Sequence, residues 1–457
     1  MAGSFAEGHG LGERFHLDRL PELLAWFDDE RVHTVLVSMC DASGTSRVKA
    51  ISLSRFADAA HNGVAYQSGV LSLDLAADFA PGTGFDFELA GQSFLLLPDC
   101  ASAFLTPWSP GTAVVMADPY FVDGRCAGAA PRPTLRRLLD QLARRGYEVS
   151  WGWEFEFYTF TREHGELVPT TPDSQALNQI RYRQAEPLID LLRTNLAAAG
   201  IELTDMIHEY GPGQLEVNFE PAAGLYGVDR AFFFRLAVKE ILQRNGVIAT
   251  FMTKPLSGRS ASGCHIHVSL TQSDGSNAFS DPAHPEGISM TLLKWIAGQI
   301  TNARELTALV TPTINGYKRY VPNSFAPSNI SWGFENRTTM IRIPLERGPN
   351  TRIENRLPEA ATNPYIAAAG LLATGLLGLD QEPNTDHFVT GNAHDRTLPP
   401  LPDTLHEALT ALRTNTQLSE LLGQDFLRLY LAVKDNELRR YQAHITDWET
   451  NEYLELL

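Results

Sequence analysis

The feature that most constrains how this chain can fold is a set of short segments in which ionisable residues alternate with apolar ones. In residues 153–157, which read WEFEF, a period of two places Glu154 and Glu156 on one face of a strand and three aromatic rings on the other. The alternation recurs in residues 215–219, 264–269, 341–343 and 352–356. One such segment is typical of a sheet with a solvated face, but several that carry Glu, His and Arg predict strands curved around a polar cavity.

The side chains on these faces indicate what the cavity binds. Glu and His in some strands are ligands for cations, whereas Arg in others binds anions. Because oxygen donors dominate and no thiolate pair accompanies them, the set favours magnesium or manganese over zinc. The sequence has neither a GxxxxGK[ST] nor a GxGxxG motif, so metal ions and arginines would hold the phosphates of a nucleotide.

The overall charge argues against two classes of partner. With 37 basic and 54 acidic residues the net charge is −17, so neither nucleic acid nor an anionic membrane is an expected partner. The four cysteines form no CxxC pair, which favours a reducing cytoplasm over a disulfide framework. The longest apolar stretch, residues 364–379, contains three glycines and predicts a buried helix rather than a membrane span.

Length and local pattern predict an α+β chain of more than one domain. Residues 1–15 are expected to form a flexible tail, residues 16–110 an N-terminal domain and residues 111–457 a second domain. The boundary is placed where residues 106–112 (TPWSPGT) interrupt the pattern with two prolines and a glycine. Helical spacing predicts amphipathic helices at residues 131–146 and 185–200 and a mostly helical region from residue 404.

Taken in order along the chain, the motifs resemble those of the glutamine synthetase family over nearly its whole length. The matching segments are WEFE at 153–156, HE at 208–209, GQLE at 213–216, KP at 254–255, SGCHIH at 262–267, YKRYVP at 317–322, NR at 336–337, RIP at 342–344, RIENR at 352–356 and NPY at 363–365. Chance agreement at so many spaced positions is negligible.

This resemblance implies roles for individual residues. One metal site would be formed by Glu156, Glu209 and Glu216, and a second by Glu154, His265 and Glu354. The residues near ATP would be His267, Ser269, Arg337, Arg342 and Arg352. Glutamate would be held by Glu156, Gly263, Arg319 and Arg356. Catalytic roles would belong to Asp41, Glu209, Arg337 and Arg342. The implied cofactor is Mg²⁺ or Mn²⁺, with ATP as co-substrate.

The resemblance also implies a fold, an assembly and a reaction. The fold would be an N-terminal β-grasp domain followed by a catalytic domain whose curved antiparallel sheet forms a half-barrel flanked by helices. Homo-oligomeric stacked rings would place each active site between subunits, with Asp41 entering the adjacent subunit's amine site. The γ-carboxylate of glutamate would attack the terminal phosphate of ATP, and an amine would then displace phosphate from the acyl phosphate. Metal ions and arginines would neutralise the developing charge.

One departure from the family pattern concerns the acceptor. Ammonia-using members carry a Glu in the loop after the YKR segment, whereas residues 321–327 here read VPNSFAP, with Phe325 where the acid is expected. An aromatic ring removes a trap for a small cation and a candidate base, and it offers an apolar or cation–π wall instead. The expected acceptor is therefore an organic primary amine, with an alkyl or aromatic monoamine favoured, in a pocket that includes Asp41 and Phe325.

Several alternatives remain open at this level. Phe325 could be an ordinary packed loop aromatic, in which case the chain would be an ammonia-using glutamine synthetase; a polyamine is another acceptor. A non-catalytic scaffold is the third reading, but the complete set of six metal ligands argues against it. Residues 257–262 (SGRSAS) also depart from the family, yet Arg319 and Arg356 keep glutamate as the expected donor.

Overall fold

The computed structural model describes residues 3–85, 91–172, 175–322, 324–383 and 386–457. Its helices are α1 (Phe5–Gly8), α2 (Leu20–Asp29), α3 (Leu53–Asn62), α4 (Pro131–Arg144), α5 (Gln179–Ala198), α6 (Gly224–Arg244), α7 (Met290–Thr301), α8 (Ala303–Val310), α9 (Pro364–Leu379), α10 (Leu405–Thr414), α11 (Thr416–Leu422), α12 (Gln424–Gln442) and α13 (Asp447–Tyr453). Its strands are β1 (Thr34–Cys40), β2 (Ser46–Ser52), β3 (Val64–Gln67), β4 (Ser93–Leu105), β5 (Thr112–Tyr120), β6 (Tyr147–Glu163), β7 (Glu166–Pro169), β8 (Leu203–His208), β9 (Gln214–Ala223), β10 (Ile248–Thr250), β11 (Cys264–Gln272), β12 (Trp332–Phe334), β13 (Ile341–Ile343) and β14 (Ile353–Asn355).

The first sheet has the order β2-β1-β5-β4-β3, with β1 and β5 parallel and the other pairs antiparallel. Helix α2 covers it with Leu20, Leu23 and Phe27, the spacing that marks one apolar helical face in the sequence. Strand β5 belongs to this sheet although it begins after the expected boundary at residue 110. The Pro- and Gly-containing turn at residues 106–112 therefore joins two strands of one sheet rather than two domains.

The N-terminal stretch is packed within its described part. Ser4 caps α1 through a hydrogen bond from the Glu7 amide, 3.3 Å long. Phe15 is fully buried, with its ring centroid 5.6 Å from that of Tyr120. From residue 3 onward the structure thus differs from the expected flexible tail, because Phe15 and Ala6 supply apolar contacts that hold the segment on the first sheet.

The second sheet has the order β12-β13-β14-β11-β6-β9-β8, and β7 and β10 also pair with β6. Apart from the parallel pair β12–β13, the neighbouring strands run antiparallel. This is the curved sheet flanked by helices that the resemblance implies. One face carries the rings of Trp153, Phe155 and Phe157, which pack into the hydrophobic core. The alternation along β6 therefore leaves the carboxylates on the opposite face.

Helix α9 spans the apolar stretch, residues 364–379, for which the sequence predicts a buried helix. Asn363 caps it by accepting a hydrogen bond from the Tyr365 amide, 3.1 Å long. Nearly every residue of α9 is buried, so its continuous apolar composition reflects packing on all sides. No helix in the described ranges is both long enough and apolar enough to cross a membrane.

Candidate active site

Strand register brings the ionisable residues of three strands to the centre of the second sheet. Strand β6 lies between β9 and β11, and Glu156 is directly opposite Glu216 on β9. Glu154 is opposite Asn218 on one side and His265 on the other. Because paired residues point to the same face of a sheet, these side chains share one surface.

A second row continues this surface toward the edge of the sheet. His267 on β11 is opposite Glu354 on β14, and Glu354 is opposite Arg342 on β13. On the other side of β11, His267 faces Gly152, where an added Cβ would lie 3.3 Å from the Cβ of His267. The glycine leaves room for the imidazole, so the polar face extends unbroken from β9 to β13.

Three carboxylates form what we call the acidic half of the site: Glu156, Glu209 and Glu216. Glu156 is held in place because it accepts hydrogen bonds from the Gly263 amide, 3.0 Å, and from Gln214 Nε2, 3.2 Å. Burial and the neighbouring Glu156 raise the pKa of Glu209 to about 7. Burial, together with the charges of Glu154, Glu156 and Glu209, raises the pKa of Glu216 to about 9.

The acidic half fits a divalent cation. The charges of Glu154, Glu156 and Glu209 all raise the pKa of Glu216, and like charges directly opposite each other across a strand pair are destabilising. A cation among them would remove both the repulsion and the need for protonation. The donors are carboxylate oxygens, which suit magnesium or manganese.

Four residues form what we call the paired half: Glu154, His265, His267 and Glu354. Glu154 Oε1 lies 2.7 Å from His267 Nε2, and Glu154 Oε2 lies 3.1 Å from His265 Nδ1. Glu354 is fully buried and accepts hydrogen bonds from both Arg342 and Arg356. Every acid here has a basic partner inside the protein.

The pKa values in the paired half shift in the opposite direction. Burial by itself raises the pKa of Glu354, but the charges of Arg356, His265 and His267 outweigh it and hold the pKa at about 2. Burial likewise opposes ionisation of Glu154, yet the two histidines bring its pKa well below the usual range. Burial and the nearby Arg356 lower the pKa of His265 to about 4.

A second cation site is possible in the paired half, with a ligand set that differs from the expected one. Ligand atoms of Glu154, His267 and Glu354 lie within 4.8 Å of one another. His265 was expected in place of His267, and its Nδ1 lies 3.1 Å from Glu154 and 3.4 Å from Glu354. Both imidazoles therefore reach the same carboxylates. A neutral imidazole is the form that binds a metal.

The residues expected to hold glutamate are connected to one another. Arg319 and Arg356 are both buried, and Arg319 Nη1 donates to the Arg356 carbonyl over 3.0 Å. Arg319 Nη2 also lies 3.3 Å from His265 Nε2. A Cβ at Gly263 would lie 2.7 Å from Arg319 Nη2, so only glycine leaves the guanidinium in this position. Since the Gly263 amide binds Glu156, these residues form one contact network.

The residues expected near ATP are distributed along the edge of the paired half. Arg352 Nε donates to His267 Nδ1 over 3.2 Å, and Arg352 Nη2 lies 3.3 Å from Glu346 Oε1. Ser269 donates its hydroxyl to the Thr351 carbonyl over 3.2 Å. Arg337 is exposed, in the segment between β12 and β13.

Asp41 lies at the turn after β1, a strand of the first sheet. Its carboxylate is fully buried within its own chain and accepts hydrogen bonds from the Ser43 and Thr45 amides, each 2.9 Å, and from Arg47 Nε, 2.7 Å. Burial raises the pKa of Asp41 despite the nearby Arg47. These contacts account for Asp41 as a turn-forming residue, and its role at a neighbouring subunit's amine site stays a prediction.

Phe325 lies next to Arg356, one of the two arginines expected to bind glutamate. Its carbonyl accepts a hydrogen bond from Arg356 Nη2, 3.1 Å long, and its side chain is 58% exposed. The ring stacks against that of Tyr210, with centroids 6.1 Å apart. The structure therefore places an exposed aromatic pair beside the site; of the loop 321–327, Asn323 lies outside the described residues.

One buried acid near the site gave no signal in the sequence. Glu359 is fully buried and accepts hydrogen bonds from the Thr313 amide and hydroxyl, both 2.8 Å, and from the Thr253 hydroxyl. Its backbone pairs with Gly263, which contacts Glu156. Through Thr253 and Thr313, Glu359 thus connects the segment that precedes Gly263 with the segment that precedes Arg319. It lies in a loop without strand alternation, so no periodicity could have revealed it.

Comparison with known proteins agrees with this geometry. Residues 128–453 match the family model described as glutamine synthetase, catalytic domain. The chain is similar to gamma-glutamylethanolamide synthetase GlnA4 of Streptomyces coelicolor, with 33% identity over 430 residues, 92% of this chain and 92% of the relative. It is 29% identical to the glutamate–isopropylamine ligase of a Pseudomonas species, over 94% of this chain and 97% of the relative. The glutamine synthetase of Thermus thermophilus is 35% identical over 79% of this chain and 83% of that protein.

Solved structures show the same likeness. A structure described as apo GmaS without ligand superposes with a TM-score of 0.84 at 29% identity, covering 94% of this chain and 98% of the other. A GmaS/ADP complex gives a TM-score of 0.85 at 29% identity, with 95% and 99% covered.

Proposed function

Because the chain belongs to the glutamine synthetase family of ATP-dependent ligases, we propose that it forms a γ-glutamyl amide from L-glutamate and an organic primary amine through a γ-glutamyl phosphate. The observation that carries the proposal is Phe325, an exposed ring beside the glutamate arginines at the loop position where ammonia-using members carry an acid. An aromatic wall favours an alkyl or aromatic monoamine over ammonium, because a ring contacts the apolar body of the amine.

The arginine network supports a role in binding and activating glutamate. Buried Arg319 and Arg356 present guanidinium groups that match carboxylates, and the Gly263 amide fixes the neighbouring Glu156. Their positions are preorganised by backbone carbonyls, so little reorganisation is needed when the substrate binds. The carboxylate oxygen that attacks the terminal phosphate of ATP would form a C–O–P bond as ADP leaves.

Two cation sites suit the residues on the polar face of the second sheet. Glu156, Glu209 and Glu216 would hold one Mg²⁺ or Mn²⁺, and Glu154, Glu354 and a histidine of β11 would hold the other. Such ions polarise phosphoryl oxygens and screen the repulsion between glutamate and ATP. Arg342, Arg352 and the exposed Arg337 are the cationic side chains proposed to meet the phosphates.

The amine must lose a proton before or during its attack on the acyl phosphate. Asp41 of a neighbouring subunit and Glu209 are the carboxylates proposed to accept this proton. When the amine nitrogen forms its bond to the carbonyl carbon, the C–O bond to phosphate breaks and the pair of electrons leaves with phosphate. The second product is therefore inorganic phosphate.

An ammonia-using glutamine synthetase is the second candidate. The observation in its favour is the 35% identity to the glutamine synthetase of Thermus thermophilus. The two candidates differ only in the acceptor, since both use ATP and glutamate.

We also propose that the active chain is a homo-oligomer of stacked rings.

The test is phosphate release by the purified protein with ATP, magnesium and glutamate. Ammonia, methylamine, isopropylamine, ethanolamine, benzylamine, aniline and a polyamine are compared in parallel. We expect one of the monoamines to give the highest kcat/KM. A higher kcat/KM for ammonia would reject the organic-amine proposal, and no release with any amine would reject the ligase proposal for this set of substrates.

A further inference from the structure

A pocket outside the candidate active site is lined mainly by basic and apolar side chains. Its volume is about 440 Å³, and pockets that bind small molecules typically measure roughly 300–1,000 Å³. Its walls come from the segment between β3 and β4, which contributes Pro81 and Gly82, and from helices α10 and α12. None of its lining residues belongs to the acidic half or the paired half of the site.

The charged side chains of this lining are predominantly basic. They are Arg413 from α10 and Arg428, Asp435 and Arg439 from α12. Three positive charges against one negative leave an excess of two, in a chain whose net charge is −17. A local excess of positive charge raises the concentration of anions near the surface that carries it.

The guanidinium of Arg439 is held in place without being neutralised. Among the described residues it has no carboxylate partner, and it donates a hydrogen bond to the side-chain oxygen of Asn436. Asn436 Nδ2 in turn donates to Asp74 Oδ2 over 2.7 Å, and both Asn436 and Asp74 are buried. A neutral amide that is anchored in the core therefore positions Arg439 and leaves its charge available to an anion.

The other two arginines keep donors for a ligand. Arg428 Nη2 lies 3.6 Å from Asp425 Oδ1, which is longer than a hydrogen bond. Arg413 donates to both oxygens of Asp435, over 3.0 and 2.7 Å, through Nη2 alone. A guanidinium has five N–H donors, so each of these side chains can bind a further oxygen atom.

We propose that this pocket binds a small molecule that carries a phosphate group, with its oxygens held by Arg413, Arg428 and Arg439. A phosphate monoester carries a charge of about −1.5 to −2 at pH 7, which matches the excess of two positive charges better than one carboxylate does. The planar guanidinium also suits phosphate because it can donate two parallel N–H bonds. Leu431 and Ala432 offer apolar contact for the organic part of an ester.

The test is isothermal titration calorimetry of the full-length protein in a buffer that contains EDTA and no added metal. The probes are inorganic phosphate, phenyl phosphate and benzoate, which has the same ring as phenyl phosphate but a single negative charge. We expect phenyl phosphate to bind more tightly than benzoate. If it also binds more tightly than inorganic phosphate, the pocket takes a phosphate ester; if not, the pocket takes free phosphate.

Single substitutions locate the bound phosphate. Arg439→Gln and Arg428→Gln should each raise the Kd for phenyl phosphate roughly 5-fold, the effect of one exposed ion pair. Asp435→Asn removes the negative charge of the lining and should lower the Kd, a gain in affinity that damaged folding cannot produce. Arg145→Gln removes the same charge from a guanidinium that pairs with Asp380 outside this pocket, so this matched control should leave the Kd unchanged.

Three results would overturn the inference. One is that the wild type binds neither phosphate probe. Another is an unchanged Kd in both Arg439→Gln and Arg428→Gln, and a Kd that rises in Arg352→Gln instead would place the phosphate at the candidate active site. The third is a lower molar mass of Arg439→Gln by light scattering, which would assign these arginines to contact with a neighbouring subunit.

This inference goes beyond the proposed function and does not depend on it, because the titration requires no turnover. If no amine supports phosphate release but phenyl phosphate binds as expected, the ligase proposal fails and the phosphate pocket stands. If an amine supports release and no phosphate probe binds, the reverse holds.

Discussion

The two halves of the site carry the same residue type in opposite electrostatic states. In the acidic half, Glu216 lies among other carboxylates, and burial with their charges raises its pKa to about 9. In the paired half, Glu354 is more deeply buried, yet Arg356 and the two histidines bring its pKa to about 2 against the effect of burial. One glutamate thus depends on a group that must come from solution, and the other is satisfied by the chain itself.

This difference teaches how a single sheet can combine stability with binding. Ion pairs inside the paired half hold β13 and β14 next to β11 before any ligand arrives. The acidic half has a repulsion that only a proton or a cation relieves, so its carboxylates favour cation binding at the expense of metal-free stability. The two halves meet on β6, which contributes Glu154 to the paired half and Glu156 to the acidic half.

The largest effect is expected for Glu354→Gln. The substitution removes the carboxylate that pairs with the buried Arg356 and leaves Arg342 with Glu335 as its remaining acidic partner. Breaking a buried pair in this way costs about 3–5 kcal/mol. We expect that loss in the free energy of unfolding measured by denaturant titration without metal, together with loss of phosphate release. A loss below about 1 kcal/mol would show that the ion pairs of Glu354 do not stabilise the metal-free fold.

The same substitution in the acidic half is the matched control. Because the raised pKa of Glu216 leaves it protonated at pH 7 in the metal-free protein, Glu216→Gln should change the free energy of unfolding by less than about 1 kcal/mol. Addition of Mn²⁺ should raise the melting temperature of the wild type more than that of this variant. An equal metal-induced shift in both proteins would remove Glu216 from the metal ligands.

The pH dependence of the metal-free melting temperature should also distinguish the two halves of the site. The folded pKa of Glu216 is raised from 4.5 to about 9, so the folded state holds a proton that the unfolded state has lost throughout this window. Stability contributed by that proton is lost as pH rises toward 9, by at most about 1.4 kcal/mol per pH unit. We expect the metal-free melting temperature to fall between pH 5 and about 9 and Glu216→Gln to flatten that slope. If the substitution left the slope of melting temperature against pH unchanged, neighbouring carboxylates would not be what raises the pKa of Glu216.

The smallest effect is expected for Phe325→Glu, which adds a negative charge beside the acidic half. The new carboxylate should attract ammonium and oppose an apolar amine body. Since an exposed ion pair is worth up to about 1 kcal/mol, kcat/KM for ammonia relative to isopropylamine should rise roughly 5-fold. Phe325→Gln controls for loss of the ring. If Phe325→Glu and Phe325→Gln give the same ratio, charge at this position does not govern the choice of acceptor.

Strand alternation in the sequence was enough to place most of the charged residues on one surface. Glu154, Glu156 and Glu216 follow from the period of two, and pairing with β11 adds His265 and His267. The family resemblance and the buried helix at residues 364–379 were likewise readable from the sequence and agree with the comparisons and the structure. The end of the first sheet was not readable from the sequence, because a turn that contains Pro and Gly has the same residue pattern inside a sheet as in a linker.

The sequence by itself determined which residue types share the polar face of the second sheet, because the direction of a side chain from a strand is a local property of the backbone. Tertiary structure alone decided their charge states, since a pKa depends on neighbours from distant segments such as Arg356 beside Glu354. It also decided the burial of Asp41 within its turn, the network around Glu359 and the stacking of Tyr210 on Phe325. Each of these contacts joins loops or turns whose positions no local periodicity fixes.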